Sequence, residues 1–304
     1  MTLDDALLQL LQLLKSRNYS FVTTTPATHA HSIMRGSSSA NARDIIGWSR
    51  YFSVNQADPD IVALLRAADM LDVRENGPAK SKVRVSSLGD LLFLHSAYPT
   101  DDHDSVFFGP DSYRFASFLA GEMPRLNARR RIVDIGAGAG VGGMVASQLS
   151  PGAQITLTDI NPQAIRFSRI NAAFNGMDVE AIQTDALDGV PGAIDCIIAN
   201  PPYIADGAHR AYRDGGGAHG GRLSLAWAKA AAERLVTGGA LLLYTGSAIV
   251  DGEDRLKKAL LEALSDFDVT YRELDPDVFG EELERADYAD VERIAVVGLV
   301  AIKR

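Results

Sequence analysis

The chain is predicted to be an α/β protein whose parallel sheet is covered by helices on both faces, and three observations point there. From about Arg131 onward, short apolar stretches bounded by turn residues alternate with longer helical patterns. The first of those stretches runs into a glycine-rich turn. The last two strand-like stretches follow one another with only a loop between them, as in a hairpin that closes a sheet edge.

In order, residues 131–135, 154–158, 179–184, 195–199 and 240–244 read as strands, and 142–149, 162–174 and 223–235 as helices. The closing pair is 269–274 and 294–302, with Asp275-Pro276-Asp277 in the loop between them. Residues 1–105 have a different texture and are expected to form a smaller, mainly helical N-terminal domain, with 106–304 as the larger one. Leu recurs at 3, 7, 8, 10, 11, 13 and 14, behind Asp4 and Asp5, which marks an amphipathic helix with acids in its first turn. The Thr-, Ser-, Ala- and His-rich stretch 23–42 reads as a loose loop, 61–71 as a helix and Asn76-Gly77-Pro78 as a break. Residues 83–85 and 91–95 form a hairpin around Gly89-Asp90. A helix followed by a hairpin is also how a winged-helix domain ends. The role of this part is read as structural or as docking of a substrate.

Composition narrows the classes. A chain of 304 residues with 46% apolar and 23% charged residues is ordinary for a globular protein and long enough for two domains. The first residues, Met-Thr-Leu-Asp-Asp, lack the basic start of a signal peptide, and no apolar run reaches a membrane span. The single cysteine, Cys196, excludes an internal disulfide, so a cytoplasmic protein is expected. A net charge of −9 disfavours non-specific binding to nucleic acid without excluding a local basic site.

The run Ile132-Val133-Asp134-Ile135-Gly136-Ala137-Gly138-Ala139-Gly140 passes from strand to glycine turn to helix, letting backbone approach a ligand closely. The spacing Gly138, Gly140, Gly143 also fits a dinucleotide site, so the turn alone is ambiguous. Two acids sharpen it. Asp159 ends the second strand, where a carboxylate accepts both hydroxyls of a ribose, and Asp185, followed by Ala186, ends the third, near an adenine amino group. With Asp134 they bring three carboxylates to the sheet edge where open α/β sheets bind ligands.

The fourth strand runs directly into Asn200-Pro201-Pro202-Tyr203. Two prolines fix the backbone and remove two donors. The Asn amide oxygen and a backbone carbonyl can then accept from one NH₂ group while the Tyr ring stacks on its plane. A planar nitrogen is a poor nucleophile because its lone pair is delocalised. Paired acceptors favour the positive charge that develops as it attacks a sulfonium methyl. This chemistry calls for neither a metal nor a strong base.

These residues resemble the class I S-adenosylmethionine-dependent methyltransferases of the "small methyltransferase" group, above all the release-factor glutamine methyltransferases. The resemblance spans roughly 107–246 and rests on residues 134–138, 158–162, 170–172, 175–176 and the tetrapeptide 200–203. It implies a seven-stranded, mostly parallel Rossmann-like sheet ending in the antiparallel hairpin, with S-adenosyl-L-methionine as cofactor. It implies a catalytic role for Asn200, Pro201, Pro202 and Tyr203. Cofactor contacts are implied for Asp134, Gly136, Ala137, Gly138, Gly140, Asp159, Ile160, Asp185, Ala186 and Asn200. It also gives the segment 108–114 a place bordering the substrate, with Tyr113 and Arg114, and puts His219 in the substrate-side loop. Both segments depart from the family: the first lacks an Arg-Pro-Glu-Thr run, the second is glycine-rich rather than glutamate-proline. The acceptor is therefore read as macromolecular, foremost a protein glutamine amide. An exocyclic amine of adenine or guanine in RNA or DNA is the alternative, favoured by any basic track through Arg114, Arg210, Arg213 and Arg222. A non-catalytic cofactor- or partner-binding module is the reading from another class. The histidines lack metal-ligand spacing apart from His29 and His31, no metal is expected, and Cys196 reads as a core residue.

Overall fold

A computed structural model of the chain describes residues 1–36, 40–74, 77–100, 102–205 and 212–304. The N-terminal part contains α1 (Leu3–Ser16), α2 (Pro26–Met34), α3 (Pro59–Ala67), the paired strands β1 (Leu71–Val73) and β2 (Ala79–Ser81), and the hairpin β3 (Val83–Leu88) and β4 (Leu91–Ser96). A capping box between Thr2 and Asp5 starts α1, which buries Leu7, Leu10, Leu11 and Leu14 and packs on α3.

Two expectations change here. The stretch 23–42 contains α2, capped by Thr25, whose Oγ1 accepts from the Thr28 N–H at 3.3 Å, with Pro26 at its first position. Its hydroxyl-rich composition reads as a turn because such side chains serve caps and turns equally well. His29 is buried against Trp48 and Tyr98, with ring centroids 5.7 and 4.3 Å away, and burial pushes its pKa down to about 4. It is a core ring rather than half of a metal pair with His31. The helix expected at 61–71 ends at Ala67, because Leu71–Val73 pair with Ala79–Ser81 instead. Residues 37–39 of the first stretch and Asn76 of the expected break lie outside the described residues.

The larger part begins with α4 (Pro110–Glu122) and continues β5 (Arg131–Ile135), α5 (Val141–Leu149), β6 (Gln154–Asp159), α6 (Pro162–Phe174), β7 (Glu180–Gln183) and β8 (Ile194–Ala199). It then runs α7 (Arg222–Arg234), β9 (Leu235–Val250), β10 (Glu253–Asp254), α8 (Arg255–Ala263), β11 (Phe267–Asp275) and β12 (Arg293–Lys303). The sheet order is β11-β12-β9-β8-β5-β6-β7, with the short β10 added beside the end of β9. The five strands β7, β6, β5, β8 and β9 are parallel neighbours, while β12 is antiparallel to both β9 and β11. The anticipated α/β fold is therefore present. Its closing hairpin lies at the sheet edge as expected, with the last strand β12 beside β9 and β11 outermost.

β9 is much longer than the apolar core 240–244. It reaches back to pair Leu235 with Ile194, and forward past the parallel strands to pair with β12 as far as Ile249. The N-terminal part is tied to this sheet through α6. Asn171 accepts from the Leu94 N–H at 2.8 Å and donates to the Leu94 and Ala139 carbonyls at 2.9 and 3.0 Å. Those bonds complete backbone pairing that the β4 edge otherwise lacks. Among the described residues no helix is long and apolar enough to cross a membrane.

Candidate active site

The carboxyl ends of β5, β6 and β8 open into a cleft of about 410 Å³, a volume suited to a nucleoside-sized ligand. Its floor is the turn after β5. Gly136 has φ +65°, and a Cβ there would overlap the Trp227 ring beneath it, so only glycine serves at this point. Gly138 and Gly140 also have positive φ, Gly140 capping α5. Gly136, Ala137 and Gly138 line the cleft, whereas Gly140 is turned toward Met144 and Ser168 and does not.

The three acids are not equivalent. Asp134 is buried under the start of α5, where its Oδ2 accepts from the Gly143 N–H at 2.7 Å. Burial, reinforced by the neighbouring Asp159 charge, raises its pKa to about 7 against the pull of that N–H. Asp159 stands at the end of β6, its two oxygens accepting from the Gly138 and Asn161 N–H groups, each at 2.9 Å. Burial raises its pKa as well. The carboxylate's lone pairs outnumber these backbone donors, which leaves capacity for a ligand. Asp185 lies two residues beyond β7, exposed on the cleft rim beside Ala186, and Ile160 is 61% exposed on the same rim.

Asn200 leaves β8 at the opposite wall. Its side chain is half-buried, lines the cleft, and makes no hydrogen bond to other described residues. Pro201, Pro202 and Tyr203 line the cleft too. The glycine-rich stretch after them packs on the back of the tetrapeptide. The Ile204 N–H donates to the Arg213 carbonyl at 3.2 Å, and the Gly215 N–H donates to the Ile204 carbonyl at 2.9 Å. At Gly220, φ is +90° and a Cβ would collide with the Tyr203 carbonyl. Gly215 and Gly220 are thus explained by close backbone approach.

Other residues complete the cleft wall, and of these Asp111 lies in the segment 108–114 that the family resemblance places beside the substrate. Phe107 stacks on Tyr212 (centroids 5.9 Å, planes 10° apart), and the Tyr212 hydroxyl donates to the Thr100 carbonyl at 2.8 Å. Phe279 enters from the β11–β12 connection, and Asp111 from the first turn of α4. No periodicity marks these positions. The one local signal is Gly109-Pro110, the start of a helix.

Tyr113, Arg114 and His219 are not brought to the cleft wall. The Tyr113 hydroxyl accepts from the Thr23 N–H at 3.1 Å, Arg114 bridges Asp111 (3.6 Å) and Asp275 (3.1 Å), and His219 faces Asp290 at 3.0 Å. Arg213 pairs with Glu282, and Arg210 and His209 lie outside the described residues. The Cys196 thiol is buried within β8, which pushes its pKa up to about 12 and leaves it inert.

The methyltransferase small domain family matches residues 104–263, more than half of the chain. The chain belongs to this family. Over 134 residues it is 34% identical to ribosomal RNA small subunit methyltransferase C of Pseudomonas aeruginosa, covering 44% of this chain and 37% of that protein. Over 136 residues it is 35% identical to release factor glutamine methyltransferase of Deinococcus radiodurans, covering 41% of this chain and 49% of that protein. The chain thus spans less than half the length of either relative. The solved structure of M. jannaschii TYW2 in complex with AdoMet superposes with a TM-score of 0.50 at 15% identity, covering 73% of this chain and 87% of that one, and shares the fold.

The cleft fits S-adenosyl-L-methionine, the cofactor expected from the sequence. Asp159 keeps free lone pairs at the wall, and the Gly136–Gly138 backbone forms the floor. No atom lies within 4 Å of where a Gly138 Cβ would stand, which leaves the turn open to a ligand.

Proposed function

We propose that this chain is an N-methyltransferase acting on a planar NH₂ nitrogen, and that its acceptor is a glutamine side chain of a protein. The observation that carries the reading is Asn200: an amide without a partner among the described residues, at the end of a central strand, in the same cleft as the glycine turn and Asp159. A half-buried amide left unbonded is available to a ligand.

S-adenosylmethionine supplies a methyl group made electrophilic by its sulfonium charge. Asp159 binds the ribose hydroxyls, Asp185 and Ala186 border the adenine, and Gly136–Gly138 let backbone approach the donor. Asn200 and a carbonyl of the tetrapeptide accept the two N–H bonds of the acceptor, holding its nitrogen in line and favouring its developing positive charge. Pro201 and Pro202 keep that backbone rigid and Tyr203 offers a ring face to the acceptor plane. Residues 1–105 act as an acceptor-side domain on this reading, since Thr100 anchors the Tyr212 wall.

A protein acceptor is favoured over nucleic acid by charge. Arg114 and Arg213 are engaged by Asp111, Asp275 and Glu282, so two of the three described arginines of the expected basic track are neutralised, and the exposed Arg222 is the third. The relatives include enzymes named for either acceptor. The test is incubation with radiolabelled S-adenosylmethionine and cell extract, followed by separate protease and nuclease digestion. Release of label by protease is expected. Release by nuclease would transfer the reading to a base amine, and calorimetry without cofactor binding would leave a non-catalytic module.

A further inference from the structure

We propose that Asp111 is a positioning residue, whose buried carboxylate holds the Tyr203 phenol and so sets the plane of the ring offered to the acceptor. The proposal rests on the reading of residues 200–203 as the catalytic tetrapeptide.

Asp111 is the second residue of α4 and only 5% exposed. Its Oδ2 accepts from the Tyr203 hydroxyl, and its Oδ1 accepts from the Tyr244 hydroxyl at 3.0 Å. The Arg114 guanidinium lies 3.6 Å from Oδ1 and is shared with Asp275. Burial raises the carboxyl and both phenols above their usual ranges. An acid near a helix start commonly does no more than cap that helix. Here, among the described residues, both oxygens turn instead to phenols from β9 and from the tetrapeptide.

The rest of the ring is also constrained. A Cβ at Gly246 would stand 2.2 Å from Cδ2 of Tyr203, so β9 packs closely against the Cδ2–Cε2 side of the ring. Phe279 meets the ring edge-on at 5.8 Å and 69°. The ring is packed by Gly246 and Phe279, and among the described residues its hydroxyl bond to Asp111 is the polar anchor of the side chain. A buried carboxylate costs several kcal/mol of desolvation unless its partners offset it, and well-packed apolar residues would fill the same space more cheaply. Keeping an acid there makes sense where the position of the phenol matters. Asp111 also borders the cleft alongside Asn200 and Tyr203. The acceptor-side signal of segment 108–114 thus falls on Asp111, acting through Tyr203, rather than on Tyr113 or Arg114.

The test is a cycle of Asp111→Asn, Tyr203→Phe and the double variant. Each is assayed for transfer of radiolabelled methyl from S-adenosylmethionine to the protein fraction of cell extract, with extract varied to saturation. Each single variant is expected to lower the saturating rate about 10-fold, and the double to be no slower than the slower single, since both remove one interaction. Cofactor affinity by calorimetry should stay within about twofold. Losses that multiply in the double variant, or a wild-type rate in Tyr203→Phe, would overturn the proposal. Tyr203→Phe probes the same bond if Asp111→Asn does not fold. Asn200→Ala in the same assay separates the failures. If it is slow while the cycle is flat, only the role of Asp111 falls; if it is as fast as wild type, the reading of the tetrapeptide falls with it.

Discussion

Asp134→Asn is expected to change how stability depends on pH. In the folded chain the Asp134 carboxyl has its pKa raised from 3.8 to about 7 by burial. A raised acid binds more protons folded than unfolded, so its effect is greatest where the two forms differ in protonation. Below pH 3.8 the neutral acid costs nothing extra; from there to about 7 stability declines with rising pH, and above about 7 the loss is complete. At ~1.4 kcal/mol per pH step the whole window amounts to about 4 kcal/mol. Asparagine is nearly isosteric with the neutral acid, and its Oδ1 can still accept from the Gly143 N–H that Asp134 engages at 2.7 Å. The variant should therefore match wild type near pH 4 and exceed it by up to about 4 kcal/mol at pH 8. Urea unfolding of both proteins at half-unit pH intervals reads this directly, because the difference between the curves cancels every titrating group not coupled to Asp134, Asp159 being the coupled one. Curves that stay parallel from pH 4 to 8 would refute the assignment.

Asp159→Ala should weaken S-adenosylmethionine binding by about 1–3 kcal/mol in calorimetry, through loss of charged acceptors; unchanged affinity would place the ribose elsewhere. Asn171→Ala removes the three hydrogen bonds to Leu94 and Ala139 and leaves buried backbone groups unpaired. It should destabilise the chain by about 2–5 kcal/mol in urea, and an unfolding midpoint like wild type would mean that β4 is held by packing alone.

The centre of the parallel sheet was legible because β5, β8 and the middle of β9 are buried on both faces and read as apolar runs; β5 and α6 fall at their expected bounds. Other elements depend on partners that local pattern does not display. Leu71–Val73 look like the end of a helix until Ala79–Ser81 pair with them. The outer half of β9 exists because β12 extends alongside it. α4 was hidden for a different reason: its first turn was read for function, although Gly109-Pro110 is also a helix start. In the site, Asp159 and Asn200 were legible because each ends a strand, where the chain must turn toward the cleft. Phe107 and Phe279 arrive from segments distant in sequence, Tyr212 from the stretch after the tetrapeptide, and Asp111 from a segment whose acceptor-side signal does not single it out. His219 looked like an acceptor contact through its nearness to the tetrapeptide along the chain. Yet Gly220 folds the loop behind the tetrapeptide and turns that histidine to Asp290.

The role of Asn200 is tested most directly by the Asn200→Ala variant in a single-turnover assay, with radiolabelled S-adenosylmethionine bound and extract protein as acceptor. Its side chain borders the cleft without a partner among the described residues, so its loss should leave cofactor affinity and the unfolding midpoint close to wild type. The methyl-transfer rate should fall by about 100-fold or more, as when an acceptor used in the transition state is removed. A variant that binds the cofactor normally and transfers methyl at the wild-type rate would contradict the mechanism.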